Sequence, residues 1–149
     1  MEPTLIHNLR QVLGTAFSIY LTTHGAHWNV EGRDFHQFHG LFKDQYEEIW
    51  ESIDSLAEQM RALDTYAPQS MAAMLACSQL VEADEAPLIL PSTLAYLIAA
   101  HETLVDLMTE TMALAADENQ QGLMNFIGGR IEAHQKHRWM LRASSRPAA

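Results

Sequence analysis

Four potential metal ligands within residues 27–58, His27, His39, Asp54 and Glu58, sit on a helix end and on one face of the next helix. Asp54 and Glu58 are four apart, so in a helix they share one face. His39 precedes Asp54 by fifteen residues. At about 100° per residue that is a net rotation of about 60°, which keeps all three on one side. The same interval spans roughly 22 Å of helix axis, whereas metal–ligand bonds are about 2.0–2.2 Å. His39 therefore cannot share an ion with Asp54 and Glu58 of its own chain. If the four form one site, two copies of this helix must run antiparallel, so that His39 of one meets Asp54 and Glu58 of the other. A plainer reading of each residue exists: a solvated helix face for the carboxylates, a hydrogen-bonded core imidazole for His39. The interlocking of all four, with Trp28 beside the first, favours a metal site. Carboxylates with imidazole suit iron and would also hold zinc. Trp28 itself is read as packing rather than as a nearby electron donor.

The string His27-Trp28-Asn29 with Gly32 after it, the Phe35-x-x-Phe38-His39 run and the Asp54-x-x-Ala57-Glu58 run resemble the Dps proteins, or miniferritins. Trp139-Met140-Leu141-Arg142 is similar to that family's last helix, so the likeness covers nearly the whole chain. The resemblance implies a hollow dodecameric shell built from two-fold dimers, with ferroxidase sites shared across the dimer interface. His27 and His39 would come from one subunit, Asp54 and Glu58 from its mate. Fe2+ would be oxidised there by hydrogen peroxide or oxygen, and ferric mineral stored inside. The sequence departs from the family at Lys43, one turn after His39, where a carboxylate is usual. Lys43 either faces the site or turns away to pair with Glu47.

The elements that must position these residues are helical. Leu5, Leu9, Val12, Leu13, Ala16, Phe17 and Tyr20 step by threes and fours, giving a first helix that starts near Pro3-Thr4 and stops near Gly32. Asp34 reads as an N-cap with Gln37 at the capping-box position. The second helix then spans about 35–64, with a seam of Phe35, Phe42, Tyr46, Ile49, Ile53, Leu56, Met60 and Leu63, and His39 in the one missing place. A long connection over 65–91 holds Pro68, Pro87, Pro91 and the acidic run Glu82-Ala83-Asp84-Glu85, with a short helix at Gln69–Ser78. Ser92 reads as the N-cap of the third long helix. Asp117-Glu118-Asn119 breaks it from a fourth that runs to about Arg142. The predicted fold is all-α: a ferritin-like four-helix bundle, residues 1–149 as one domain, with a short extra helix between helices 2 and 3.

Of the remaining histidines, His24 and His36 read as solvent-facing or hydrogen-bonded. His101 falls on a core position, and His134 with His137 reads as a surface pair. Asp117 and Glu118 are candidates for an acidic iron-entry pore, with a solvated loop as the alternative. No Glu is followed three residues later by His, which disfavours a di-iron site inside one bundle. Nothing resembles a hydrolase nucleophile elbow.

Composition bounds the partners. The net charge is −10, from 9 Lys and Arg against 19 Asp and Glu. Such a surface repels nucleic acid, and the ends lack the Lys-rich tails of strong DNA binders, so DNA binding is doubtful. A DNA-compacting structural protein with little ferroxidase activity is the alternative reading. The single cysteine, Cys77, excludes an internal disulfide. Neither a leader-like apolar segment nor a membrane-length run is evident, so a soluble cytoplasmic protein is expected.

Overall fold

The structure is a computed structural model in which residues 4–83 and 88–147 are described. Pro3, Pro87, the Asp84-Glu85 half of the acidic run and the last two residues of the tail lie outside them. Five helices make up the described fold: α1 (Leu5–Asn29), α2 (Phe35–Ala62), α3 (Met71–Cys77), α4 (Leu90–Asp117) and α5 (Gln121–Ser145). The four long ones form the bundle. Short turns make α1 with α2 and α4 with α5 antiparallel pairs, and α1 lies along α4.

Each boundary has a local cause. Thr4 caps α1, its hydroxyl accepting from the His7 amide at 3.1 Å. The helix ends at Asn29, and the reversal into α2 is made at Gly32, whose φ of +105° suits glycine. Asp34 is the cap residue of α2 by position, but its side chain makes no cap hydrogen bond, so the expected capping box does not form. Ser92 is not a cap either. α4 starts at Leu90, because Pro91 lacks an N–H and fits the first turn, where amides have no intrahelical partner. That carries Ser92 inside the helix.

The core runs through Leu9, Leu13, Ile49, Leu56, Leu104, Met108 and Ile127, with a second cluster around Phe38, Phe42, Leu97 and Leu141 at the opposite end. On α2 the buried stripe is Phe38, Phe42, Gln45, Ile49, Ser52, Leu56 and Met60. The predicted seam shares only Phe42, Ile49, Leu56 and Met60 with it. Its other members, Phe35, Tyr46, Ile53 and Leu63, lie on a flank of α2 that is exposed or half-buried in the single chain. Ile53 and Leu63 still pack against the edge of the core, Tyr46 is half-buried, and Phe35 faces outward. The short α3 lies against α1 at Gly14. A Cβ there would come within 2.6 Å of the Met74 carbonyl and 2.7 Å of Cys77 Cβ.

Candidate metal centre

α1 ends and α2 begins beside each other, because the turn at residues 30–34 folds one back along the other. This places His27 in the last turn of α1 against His39 in the second turn of α2. The contact is reciprocal: His27 Nδ1–H donates to the His39 carbonyl at 2.7 Å, and His39 Nδ1–H donates to the His27 carbonyl at 2.7 Å. The rings stack with centroids 3.7 Å apart at 16°. A carbonyl only accepts, so both rings carry their proton on Nδ1. Both Nε2 lone pairs are thereby left out of the lock. Fixing one ring nitrogen by a hydrogen bond is how ligating histidines are oriented and made more basic. Phe35 stacks on the outer face of His39 at 4.8 Å.

Asp54 and Glu58 lie one turn apart on the exposed side of α2. The Glu58 carboxyl is held above its ordinary value, first by its hydrogen bond to Asp54 and then by that residue's charge. Two carboxylates in this relationship gain from a shared cation. α2 is unbroken from Phe35 to Ala62, so the fifteen-residue interval to His39 is helical throughout. The structure thus brings His27 and His39 together, and Asp54 and Glu58 together, but leaves the two pairs well apart along one chain. Among the described residues, no three His, Cys, Asp or Glu side chains converge on one metal position.

Lys43 turns from His39 toward Glu47, with Nζ 3.9 Å from Oε1, both side chains being about half exposed. His36 is exposed. Trp28 is not core packing, since it is 60% exposed and touches His24, centroids 4.2 Å apart. It lines a groove with Val81 and Ile89 of the connection and Thr93 of α4. His24 is hydrogen-bonded as expected, its Nδ1 paired with the Tyr20 hydroxyl at 2.8 Å. The His24 ring also lies flat on Tyr46, 3.8 Å away at 10°, and Tyr46 turns its edge to His27 at 5.2 Å. Tyr20 continues the array to Trp50 at 4.9 Å. Sequence reasoning treated Tyr20 and Tyr46 as core filler. The signal available was the turn-by-turn spacing of residues 20, 24 and 27 on the face that carries His27.

The reading of His134 and His137 as a surface pair is wrong, since both are buried. They face His101, which is buried as expected, and Glu48 of α2. Arg130 donates twice to the Glu48 carboxylate, at 2.5 and 3.0 Å, and His137 Nε2–H donates to it at 2.8 Å. Burial alone would raise the Glu48 carboxyl, but the His137 and Arg130 hydrogen bonds and charges pull it down to about 2. The missed signal is that residues 123, 127, 130, 134, 137 and 141 step by alternating fours and threes, the period of a buried stripe. Their polarity concealed it.

The ferritin-like domain model matches residues 6–145 of this sequence. A low temperature-induced protein of Nostoc sp. is 33% identical over 141 residues, covering 93% of this chain and 78% of that protein. The X-ray structure of Dps from Thermosynechococcus elongatus superposes with a TM-score of 0.92 at 26% identity, over 97% of this chain and 91% of that one. A Dps protein from Vibrio cholerae O1, described as a member of a broad superfamily of ferritin-like diiron-carboxylate proteins, gives a TM-score of 0.89 at 25% identity, covering 95% and 89% of the two chains. The chain belongs to the ferritin-like family and, within it, to the Dps miniferritins.

Proposed function

We propose that this protein takes up Fe2+, oxidises it with hydrogen peroxide or oxygen at sites shared between two copies of the chain, and stores the ferric product inside a closed shell. The observation that carries the reading is the reciprocal lock between His27 and His39, which leaves both Nε2 atoms free beside an outward face of α2. Asp54 and Glu58 stand roughly 22 Å along the same helix, so a second copy running antiparallel supplies them. The diiron-carboxylate description of the Vibrio cholerae relative and the ferritin-like domain agree with that donor set. Exposed Trp28, Phe35 and Trp50 around the site give the two copies an apolar surface to bury.

In this reading the neutral imidazoles fix geometry while the carboxylates take up the rising charge as ferrous iron becomes ferric. Iron is the substrate and then the cargo. Closed symmetry follows from a site that one chain cannot complete, and a dodecamer of two-fold dimers is the assembly proposed. The domain spans the whole chain. Asp117 and Glu118, exposed at the α4–α5 turn, are the proposed acidic entry for iron.

The test combines sedimentation with stopped-flow oxidation of Fe2+ and anomalous diffraction from iron-soaked crystals. An assembled shell with iron between His27 or His39 of one copy and Asp54 and Glu58 of another is expected. A stable monomer that oxidises iron at the full rate would end the shared-site model.

A further inference from the structure

Three imidazoles, not two, gather where α1 meets α2. His24 lies one turn before His27 on α1, and His39 faces His27 from α2. Their separations differ in kind. An imidazole bound through nitrogen at about 2.1 Å sets its ring centre roughly 3.2 Å from the ion, so two rings on one ion stand roughly 4.5–6.4 Å apart, from right-angled to opposed bonds. The His27 and His39 centroids are only 3.7 Å apart, with planes at 16°. A nitrogen lone pair lies in its ring plane, so two rings stacked face to face aim side by side rather than at one point. As locked by each other's carbonyls, these two cannot hold the same ion. His24 and His27 have centroids 6.1 Å apart and planes at 54°, which falls inside the range.

His24 is also held as a ligating histidine is held. Tyr20 is its one hydrogen-bond partner among the described residues, at Nδ1, 2.8 Å away. A phenol oxygen accepts as well as donates. With Nδ1–H as the donor, the arrangement at His27 and His39, Nε2 keeps the lone pair. Tying the first nitrogen fixes the ring and leaves the second for a metal. Tyr46 lies flat against the same ring at 3.8 Å, and Trp28 touches it at 4.2 Å. A stack alone needs a flat ring and no nitrogen; the paired Nδ1 and the spacing to His27 are what a ligand adds.

We infer that His24 is a metal ligand of the shared site, holding one ion together with His27, while His39 serves a separate position. The inference rests on the proposed iron oxidation at that site and deepens it. His24 and His27 of one copy with Asp54 and Glu58 of another make a set of two imidazoles and two carboxylates. Two carboxylates balance the charge of Fe2+ and leave one net positive charge on Fe3+. Two imidazoles on one ion favour Fe2+ and Zn2+ over Mg2+ and Mn2+, which suit oxygen donors. His39 contributes to this ion indirectly, since its carbonyl holds His27 Nδ1–H and so orients that ring.

Crystals of the assembled wild-type protein soaked in Co2+, with anomalous data, test this without any substitution. The expected peak lies within bonding distance of Nε2 of both His24 and His27. In solution, calorimetric titration with Zn2+ measures the tight position in wild type, His24→Phe and His36→Phe. Phenylalanine keeps a flat ring against Tyr46 and offers no nitrogen, so His24→Phe should weaken that position at least about tenfold. His36, exposed on α2, should leave it unchanged. A merely positioning role could also lower affinity, so pulsed electron paramagnetic resonance of Cu2+, added at one ion per site, counts the bound imidazoles. Two are expected in wild type and one in His24→Phe. A peak on His27 without His24, a single imidazole in wild type, or unchanged Zn2+ affinity in His24→Phe overturns this inference and leaves the proposed function standing. No metal at the shared face overturns the inference too, and where Fe2+ oxidation above the buffer rate is also absent, the proposed function falls with it.

Discussion

His101 and His134 meet nitrogen to nitrogen, Nδ1 to Nδ1 at 2.9 Å, in the interior between α4 and α5. The proton positions follow from the neighbours. Arg130 has no acceptor, so its Nη2 donates to His134 Nε2, 3.3 Å away. His134 must then carry its proton on Nδ1 and donate to His101 Nδ1. His101 is left with its proton on Nε2, a buried atom without a protein partner among the described residues. A further proton on His134 would oppose the Arg130 N–H, and one on His101 Nδ1 would oppose the His134 N–H. The pair is neutral by construction.

That neutrality makes the bundle acid-sensitive. Burial is the first cause lowering both groups, with the neighbouring positive charges of His137, Arg130 and, for His101, Arg138 adding to it; Glu48 opposes the shift at His101. His101 is lowered to about 3. The unfolded chain protonates these histidines near 6.5, while the folded one does not until far lower. Their contribution is therefore complete above about pH 6.5 and is lost as pH falls from there toward about 3, by up to about 1.4 kcal/mol per pH unit for each histidine. Glu48, lowered to about 2, loses its contribution in the same direction, from its ordinary 4.5 downward. Thermal unfolding at fixed protein concentration should show the midpoint starting to fall near pH 6.5, before ordinary carboxylates titrate. A flat midpoint between pH 6.5 and 5 would contradict the assignment.

Glu48 is the sole carboxylate paired with Arg130 among the described residues. Glu48→Ala leaves a guanidinium that is only 10% exposed without its counter-ion. Breaking the pair from one side costs on the order of 2 kcal/mol, less than for a fully buried pair because the Glu48 side chain is 40% exposed. The expected result is a clear drop in the denaturant midpoint with the fold retained, read by far-ultraviolet circular dichroism. A loss no larger than that of a surface Glu→Ala control would show that solvent replaces the pair.

Asp54→Ala with Glu58→Ala should abolish rapid Fe2+ oxidation and leave the assembly intact. In the metal-free state these carboxyls oppose each other, as the raised Glu58 shows, so their removal should not destabilise the protein. Sedimentation and stopped-flow absorbance on the double variant check the two halves separately. Oxidation at the wild-type rate would place the chemistry elsewhere.

The four long helices were legible because their apolar residues repeat at helical steps, and the α3 segment because it is rich in alanine and methionine. The facing of α2 was half legible. Phe35, Tyr46 and Ile53 are apolar whether they face their own bundle or another chain, and hydrophobic spacing cannot distinguish the two. His27 and His39 could be singled out, but not their pairing through each other's carbonyls, which depends on how the turn at Gly32 folds back. His134 and His137 were misplaced because imidazoles are ordinarily exposed. Burial of His137 is compensated by Glu48 and that of His134 by His101 and Arg130, and Glu48 and His101 lie far away in sequence.

The last prediction turns on Lys43. A helix puts residues 39 and 43 on one face, so the ammonium could reach toward a cation beside His39. The side chain instead lies toward Glu47, at a distance that makes only a loose, exposed pair. Such a pair holds a lysine weakly, on the order of 0.5 kcal/mol, so it leaves the side chain free to swing. In neither position can it ligate, and in one it repels. One strong iron position is therefore expected, with His27 of one copy and Asp54 and Glu58 of another, beside a weaker one near His39. Lys43→Glu adds acceptor oxygens on that face and removes the positive charge, so it should strengthen the weaker position. It should also put two carboxylates at 43 and 47 on one exposed face, at a small stability cost of about 0.3 kcal/mol. Calorimetric titration with Zn2+, which has no redox chemistry to obscure the heats, counts the positions in wild type and variant. A rise from one tight ion per site toward two is the expected outcome. Two equally tight ions in the wild type would mean that Lys43 leaves the second position unaffected.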